Sequence, residues 1–164
     1  MKKLSHTFHY MLCTYEELTE QDRQLIDAAK LATERSYAPY SQFHVGAAAL
    51  LADGTIVTGS NQENAAYPSG MCAERTTLFH TGAAYPEKAV TALAIAARTK
   101  GEFTRTPIAP CGACRQVMLE VENRHQCPIR TLLYGTKSIY IIEGGATALL
   151  PLSFEASFLA DAER

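Results

Sequence analysis

Apolar positions recur along the chain with two periods, and the changes between them lay out the elements. Over residues 19–36, Leu25, Ala28, Ala29 and Ala32 recur at helical spacing with Ile26 beside them, which predicts a helix. Thr19-x-x-Asp22 is a capping-box-like start, weaker than one closed by Glu or Gln. Tyr37-Ala38-Pro39-Tyr40-Ser41 ends it as a loop. Residues 45–52 form an apolar run of strand length, Asp53-Gly54 is a hairpin turn, and residues 55–60 return as a second strand. A polar loop with Pro68 and Gly70 spans 61–70, and a helix over 72–80 is closed by Gly82. Residues 89–97 are nearly continuously apolar and read as a buried strand. The polar loop 100–107 leads to Pro110, and a helix follows over 112–123 with Val117 and Val121 at helical spacing. Residues 130–134 and 138–142 are two short strands, Gly144-Gly145 breaks the pattern, and 153–159 gives a last short helix.

This order predicts an α/β fold, a three-layer α/β/α arrangement around a mixed sheet of about five strands. Residues 19–164 read as one domain, without internal repeat, low-complexity segment or dividing linker. Residues 1–18 read as an N-terminal extension. Phe8, Tyr10 and Leu12 alternate with His9, Met11 and Cys13, which suits an edge strand, and a loosely packed tail fits the same residues.

Composition narrows the class of protein. A chain of 164 residues suits one domain with a substantial core. With 47% apolar and 20% charged residues, its composition is that of an ordinary soluble protein. The formal net charge of -2 and the lack of a Lys/Arg-rich run argue against a nucleic-acid partner. No apolar run of about 18 residues exists, so no spanning helix and no membrane partner are expected. Met1-Lys2-Lys3-Leu4-Ser5-His6 has no apolar stretch behind it, so no signal peptide is read and a cytoplasmic protein is expected. Five cysteines, an odd count with one Cys-x-x-Cys pair, point to metal or redox chemistry and not to a disulfide frame.

Two short segments concentrate the chemistry: Cys72-Ala73-Glu74 and Pro110-Cys111-Gly112-Ala113-Cys114. Both sit where a loop enters a predicted helix, and a helix N-terminus stabilises thiolates. Cys111 and Cys114 lie at i and i+3, so one turn points both sulfurs at one ion, and Cys72 closes a third corner. Three protein ligands leave a fourth position for water, as in a catalytic zinc site. Glu74, at i+2, leaves Cys72's face free and reaches the open position from the side as a proton shuttle. Alone, the Cys-x-x-Cys pair also reads as a redox pair or half of a structural zinc site. His44 and His80 are further possible ligands, though His80 reads better as an exposed residue near its helix end, where the dipole favours a cation, and Cys13 and Cys127 read as small buried or semi-buried residues. Three thiolates on Zn²⁺ carry a net charge near -1, which a guanidinium donating to sulfur offsets. Arg75 and Arg115, each directly after a site residue, are the candidates, and a role as a plain surface arginine competes for both.

From about Thr19 to Phe154 the sequence resembles the cytidine deaminases of the small, homotetrameric, zinc-dependent class. The likeness is carried by Tyr40-Ser41-x-Phe43-x-Val45-Gly46-Ala47-Ala48, Asn61-x-Glu63-Asn64-Ala65-Ala66-Tyr67-Pro68, Cys72-Ala73-Glu74-Arg75-Thr76 and Pro110-Cys111-Gly112-Ala113-Cys114-Arg115-Gln116. The resemblance implies zinc on Cys72, Cys111 and Cys114. It implies hydrolysis of cytidine and deoxycytidine to the uridines and ammonia, by attack of zinc-bound hydroxide at C4 with Glu74 carrying protons. It implies that Asn61 and Glu63 bind the ribose and that Phe43 contacts the base. It places the main chain around Ala73 and Ala109 on the base's polar groups, and lets Tyr67 and Phe154 reach a neighbouring subunit's site. A free pyrimidine nucleoside is the expected substrate. Glu63 agrees with that independently, since a carboxylate accepts from a hydroxyl and repels a phosphate. Gln62, where the family often has Val, keeps a related cytosine-containing nucleoside or antibiotic open as substrate. A nucleic-acid-editing deaminase and a structural zinc module used for partner binding compete with this reading.

Overall fold

A computed structural model describes residues 1–160. Its centre is a seven-stranded sheet in the order β1-β7-β6-β4-β2-β3, with β5 paired to β4. The strands are β1 (Met11–Cys13), β2 (Phe43–Leu51), β3 (Ile56–Ser60), β4 (Val90–Thr99), β5 (Glu102–Phe103), β6 (Arg130–Tyr134) and β7 (Ile139–Ile142). The helices are α1 (Glu20–Ala32), α2 (Ala73–Ala84), α3 (Gly112–His125), α4 (Gly145–Leu149) and α5 (Ser157–Ala160). Among these strands only β4 and β6 run parallel; the other pairs are antiparallel, so the sheet is mixed as expected.

The five expected strands are present, and two short ones raise the count to seven. β1 pairs Met11, Leu12 and Cys13 with Ile141, Tyr140 and Ile139, covering the β7 edge. Tyr10 adds its ring against Tyr140, at 5.0 Å between centroids. β5 folds back on β4 through Lys100 and Gly101, both at positive φ (52° and 84°), the backbone of a tight hairpin turn.

The helices also shift at their ends. The Thr19 hydroxyl caps α1 by accepting from the Asp22 N–H at 3.1 Å, and the chain after Ala32 tightens into a 3₁₀ turn instead of continuing to residue 36. α2 continues past Gly82 to Ala84. α4 starts at the Gly144-Gly145 break, and α5 occupies only the end of the expected 153–159 helix.

Alternation along β2 explains the layers. Ala47, Ala49 and Leu51 pack with Leu93, Ile95, Met118 and Leu119 on the face covered by α2, α3 and α4. Ala48 and Leu50 pack with Leu25, Ile26 and Ala29 on the face covered by α1. Small residues let the helices approach closely: a Cβ on Gly46 would lie 2.1 Å from the Ala29 carbonyl oxygen of α1. On the other face, a Cβ on Gly59 would lie 2.6 Å from Thr77 Oγ1 of α2. Among the described residues no helix is long and apolar enough to cross a membrane.

Candidate metal centre and substrate cleft

Cys72 and Cys111 are the residues that precede the first turns of α2 and α3, both with extended backbone (φ -71°, ψ 153° and φ -67°, ψ 166°). Cys114 sits in the first turn of α3 and is fully buried. The two helix starts therefore meet at one corner. The Sγ atoms of Cys72 and Cys111 lie 3.9 Å apart, and those of Cys111 and Cys114 3.4 Å. Tetrahedral zinc with bonds of about 2.3 Å separates its sulfurs by about 3.8 Å, so the corner already has the spacing of a zinc site. His44 lies elsewhere, beside Ser36, and His80 is exposed on α2.

Three sulfurs this close cannot all be anionic unaided. Hydrogen bonding from Cys114 lowers the Cys72 thiol to about 5, and the same contact pushes Cys114 up. A divalent cation satisfies all three at once. Arg75 Nη2 donates to Cys72 Sγ at 3.8 Å, and this contact pushes the guanidinium pKa further up. Arg115 goes elsewhere: Nε donates to the Pro110 carbonyl at 2.8 Å and Nη1 to the Leu149 carbonyl at 2.6 Å. It braces the loop before Cys111 against the end of α4.

Glu74 points into the same corner with 4% of its surface exposed, and burial pushes its carboxyl up. A buried carboxyl with a raised pKa is suited to exchange protons near neutral pH.

The corner opens into a cavity of about 710 Å³. Phe43, Asn61, Glu63, Tyr67, Ala73, Glu74 and Arg75 line it, and so does Ala109. On the same lining, Glu63 Oε2 accepts from the backbone N–H groups of Tyr40 and Ser41, at 2.9 and 3.2 Å. Contacts to Ser41 are the main reason the Glu63 carboxyl lies below the usual range. Tyr67 is 77% exposed at the mouth, edge-on to Tyr40 at 6.2 Å. Phe154 is not on the lining: it stacks on Phe158, and its carbonyl accepts from Gln116 Nε2 at 2.9 Å. Sequence reasoning missed Tyr40, Ser41 and Ser36 as supports of the Asn61–Glu63 loop. The Tyr40 and Ser41 donors are backbone groups, which leave no mark in side-chain identity, and Ser36 acts through its hydroxyl from a position 25 residues before Asn61.

A cation held by three protein ligands keeps a position for water, the arrangement of a hydrolytic zinc enzyme and not of a closed structural zinc module. The family model for the cytidine and deoxycytidylate deaminase zinc-binding region matches residues 19–127, and the chain belongs to that family. It is similar to a cytidine deaminase of Halalkalibacterium halodurans, 46% identical over 85% of this chain and 99% of that one. A cytidine deaminase of Sporosarcina psychrophila is 42% identical over 84% of this chain and 93% of its own. The crystal structure of a cytidine deaminase from Burkholderia pseudomallei superposes with a TM-score of 0.68 at 42% identity, covering 84% of this chain and all (100%) of that one. The cofactor is zinc, on the donor set and on the family.

Proposed function

We propose that the protein hydrolyses cytidine and deoxycytidine to uridine and deoxyuridine, releasing ammonia. One observation carries this reading: the three-thiol corner with Glu74 and the Asn61–Glu63 loop border one cavity of about 710 Å³, the size range of small-ligand sites. Cys72, Cys111 and Cys114 would hold zinc, which when bound would supply a water acidified to near neutrality as the nucleophile for C4 of the base. Glu74 takes one proton from the attacking water and delivers it to ring N3; it then passes the second, from the hydroxyl added at C4, to the amine, which departs as ammonia when the C4–N bond breaks. The main chain of Ala73 and Ala109 orients the base, and Phe43 packs against it. Asn61 and Glu63 take the sugar, and Glu63 turns away a phosphorylated one by charge.

Residues 19–164 act as the deaminase domain, with 1–18 as an extension that covers one sheet edge through β1. The exposed rings of Tyr67 and Phe154 suit a homotetramer in which subunits complete each other's clefts. The free cysteines suit the reducing cytoplasm. Loss of the cytidine absorbance band is followed over a panel of cytidine, deoxycytidine, cytidine monophosphate, a cytosine-containing antibiotic and an oligonucleotide. Turnover of the first two is expected. Turnover of the antibiotic alone assigns a related substrate, and failure on both nucleosides sinks the proposal.

A further inference from the structure

The amide of Asn61 is oriented by the protein before any ligand arrives. Its Oδ1 accepts from the Val45 N–H at 2.8 Å, and its Nδ2 donates to the Phe43 carbonyl at 2.9 Å. These two backbone groups flank His44 on β2 and leave one Nδ2 hydrogen for a ligand. The second partner of Oδ1 is the Ser36 hydroxyl, at 2.6 Å. An amide oxygen only accepts, so Ser36 donates, and its oxygen is left to accept. His44 Nδ1 lies 3.2 Å from that oxygen and therefore carries the proton between them. The hydrogen bonds run one way, from His44 through Ser36 to Asn61.

Glu63 is fixed in the opposite sense. With Oε2 taken by the Tyr40 and Ser41 N–H groups, its Oε1 is left as an acceptor on a residue that lines the cavity. The backbone joins the two sides: Tyr37 N–H donates to the Asn61 carbonyl at 3.0 Å, and Glu63 N–H donates to the Tyr37 carbonyl at 2.8 Å. Ser36 immediately precedes Tyr37, so the loop that delivers the hydroxyl to Asn61 also anchors the backbone of Glu63.

We propose that Ser36 and His44 are positioning residues for the sugar end of the cleft. They lock Asn61 as a donor beside the Glu63 acceptor, a pair that selects a hydroxyl able to accept from one and donate to the other. The proposal rests on the assignment of Asn61 and Glu63 to the sugar, and the experiment separates the two. Kinetics of the zinc-loaded enzyme are measured with cytidine, and with its dideoxy analogue, which lacks the secondary sugar hydroxyls, as competitor. Ser36→Ala is expected to raise KM for cytidine roughly 3- to 10-fold, the size of one net hydrogen bond, with kcat within about twofold. Ser36→Thr, which keeps the hydroxyl, restores KM, and Ser36→Ala leaves inhibition by the dideoxy analogue unchanged. A native KM in Ser36→Ala overturns the proposal. So does an equal loss for both ligands, which makes Ser36 a support of the loop and nothing more. Should Ser36→Ala lose its cooperative melt, His44→Phe, which removes the upstream donor, is read by the same two criteria. Asn61→Ala with a native KM overturns the sugar assignment itself.

Discussion

Glu74 and Arg75 are neighbours in sequence and face the sulfurs with opposite tasks. Glu74 is buried and, among the described residues, lacks a salt-bridge partner that would hold it permanently ionised, so its carboxyl is free to exchange a proton. Glu74→Gln keeps the shape and the zinc but cannot carry that proton. Turnover is expected to fall by about 10²–10⁴, with metal content by elemental analysis unchanged. Full activity in this variant would defeat the proton-shuttle role. Arg75 gives one donor to Cys72, and its Nε is buried without a partner among the described residues. Its positive charge beside electron-rich sulfurs is expected to be its main contribution. Arg75→Ala is expected to lower zinc affinity about 10- to 100-fold in competition with a chromophoric chelator. Lysine recovers only part of that, since a point charge lacks the guanidinium's planar fork. Unchanged affinity assigns Arg75 to packing alone.

At the scale of elements, Glu122 holds together what the helical pattern could not foresee. It lies near the end of α3, 8% exposed, and its Oε1 accepts from the Ile129 and Ala146 N–H groups, both at 2.7 Å. One carboxylate oxygen thus joins α3, the entry to β6 and the start of α4. Gly145 makes room: its φ is +66°, and a Cβ there would meet Glu122 Oε1 at 2.8 Å. Glu122→Ala strands two buried N–H groups and is expected to cost about 2–4 kcal/mol in denaturant unfolding. Glu122→Gln keeps the accepting oxygen. Burial raises the Glu122 pKa above its ordinary 4.5. A raised carboxyl favours the fold below the unfolded value, and this advantage is lost as pH rises through the folded value. Gln is therefore expected to match or exceed native stability at neutral pH, with the difference vanishing as pH falls toward that ordinary value of 4.5. An amide variant as damaged as Ala would show that charge, not acceptance, is what matters. The same case explains where sequence reading stops. Helical spacing locates α1 and α3, apolar runs and turn residues locate the five main strands and α2, and motif spacing locates the three cysteines and Glu74. Gly144-Gly145 is legible as a break but not as a helix start, because the reason for it is a carboxylate distant in sequence. Lys100-Gly101 lacks the Asn or Asp that marks a hairpin turn, so β5 reads as loop in the sequence. Gly82 looks like a helix end because glycine usually is one, yet α2 carries on to Ala84. Sequence adjacency draws Arg115 toward the sulfurs, and the fold turns it to two carbonyls instead.

On the scale of the whole molecule, the zinc corner is also a joint. α1 packs its face of the sheet through an apolar cluster of its own, whereas the starts of α2 and α3 on the opposite face converge on the three sulfurs. Holding those helix starts together without a cation leaves crowded thiols that compete for protons. Zinc bound to the folded state alone therefore stabilises it by mass action, about 4 kcal/mol when free metal is about a thousand times Kd. For a chain of this size each kcal/mol moves Tm by about 2–4 °C, so stripping the metal is expected to lower Tm by about 10 °C. The loss should be uneven. Hydrogen exchange is expected to quicken first in the opening turns of α2 and α3, around 72–76 and 111–115, while α1 and its cluster with β2 and β4 keep their protection. An unchanged Tm would mean that packing of the two helices on β2 and β3 suffices and that the metal serves chemistry only. A uniform rise in exchange would mean that the two core faces unfold as one unit. The expected local pattern instead ties the catalytic centre to the less independently held face, so zinc content governs both turnover and the persistence of the cleft.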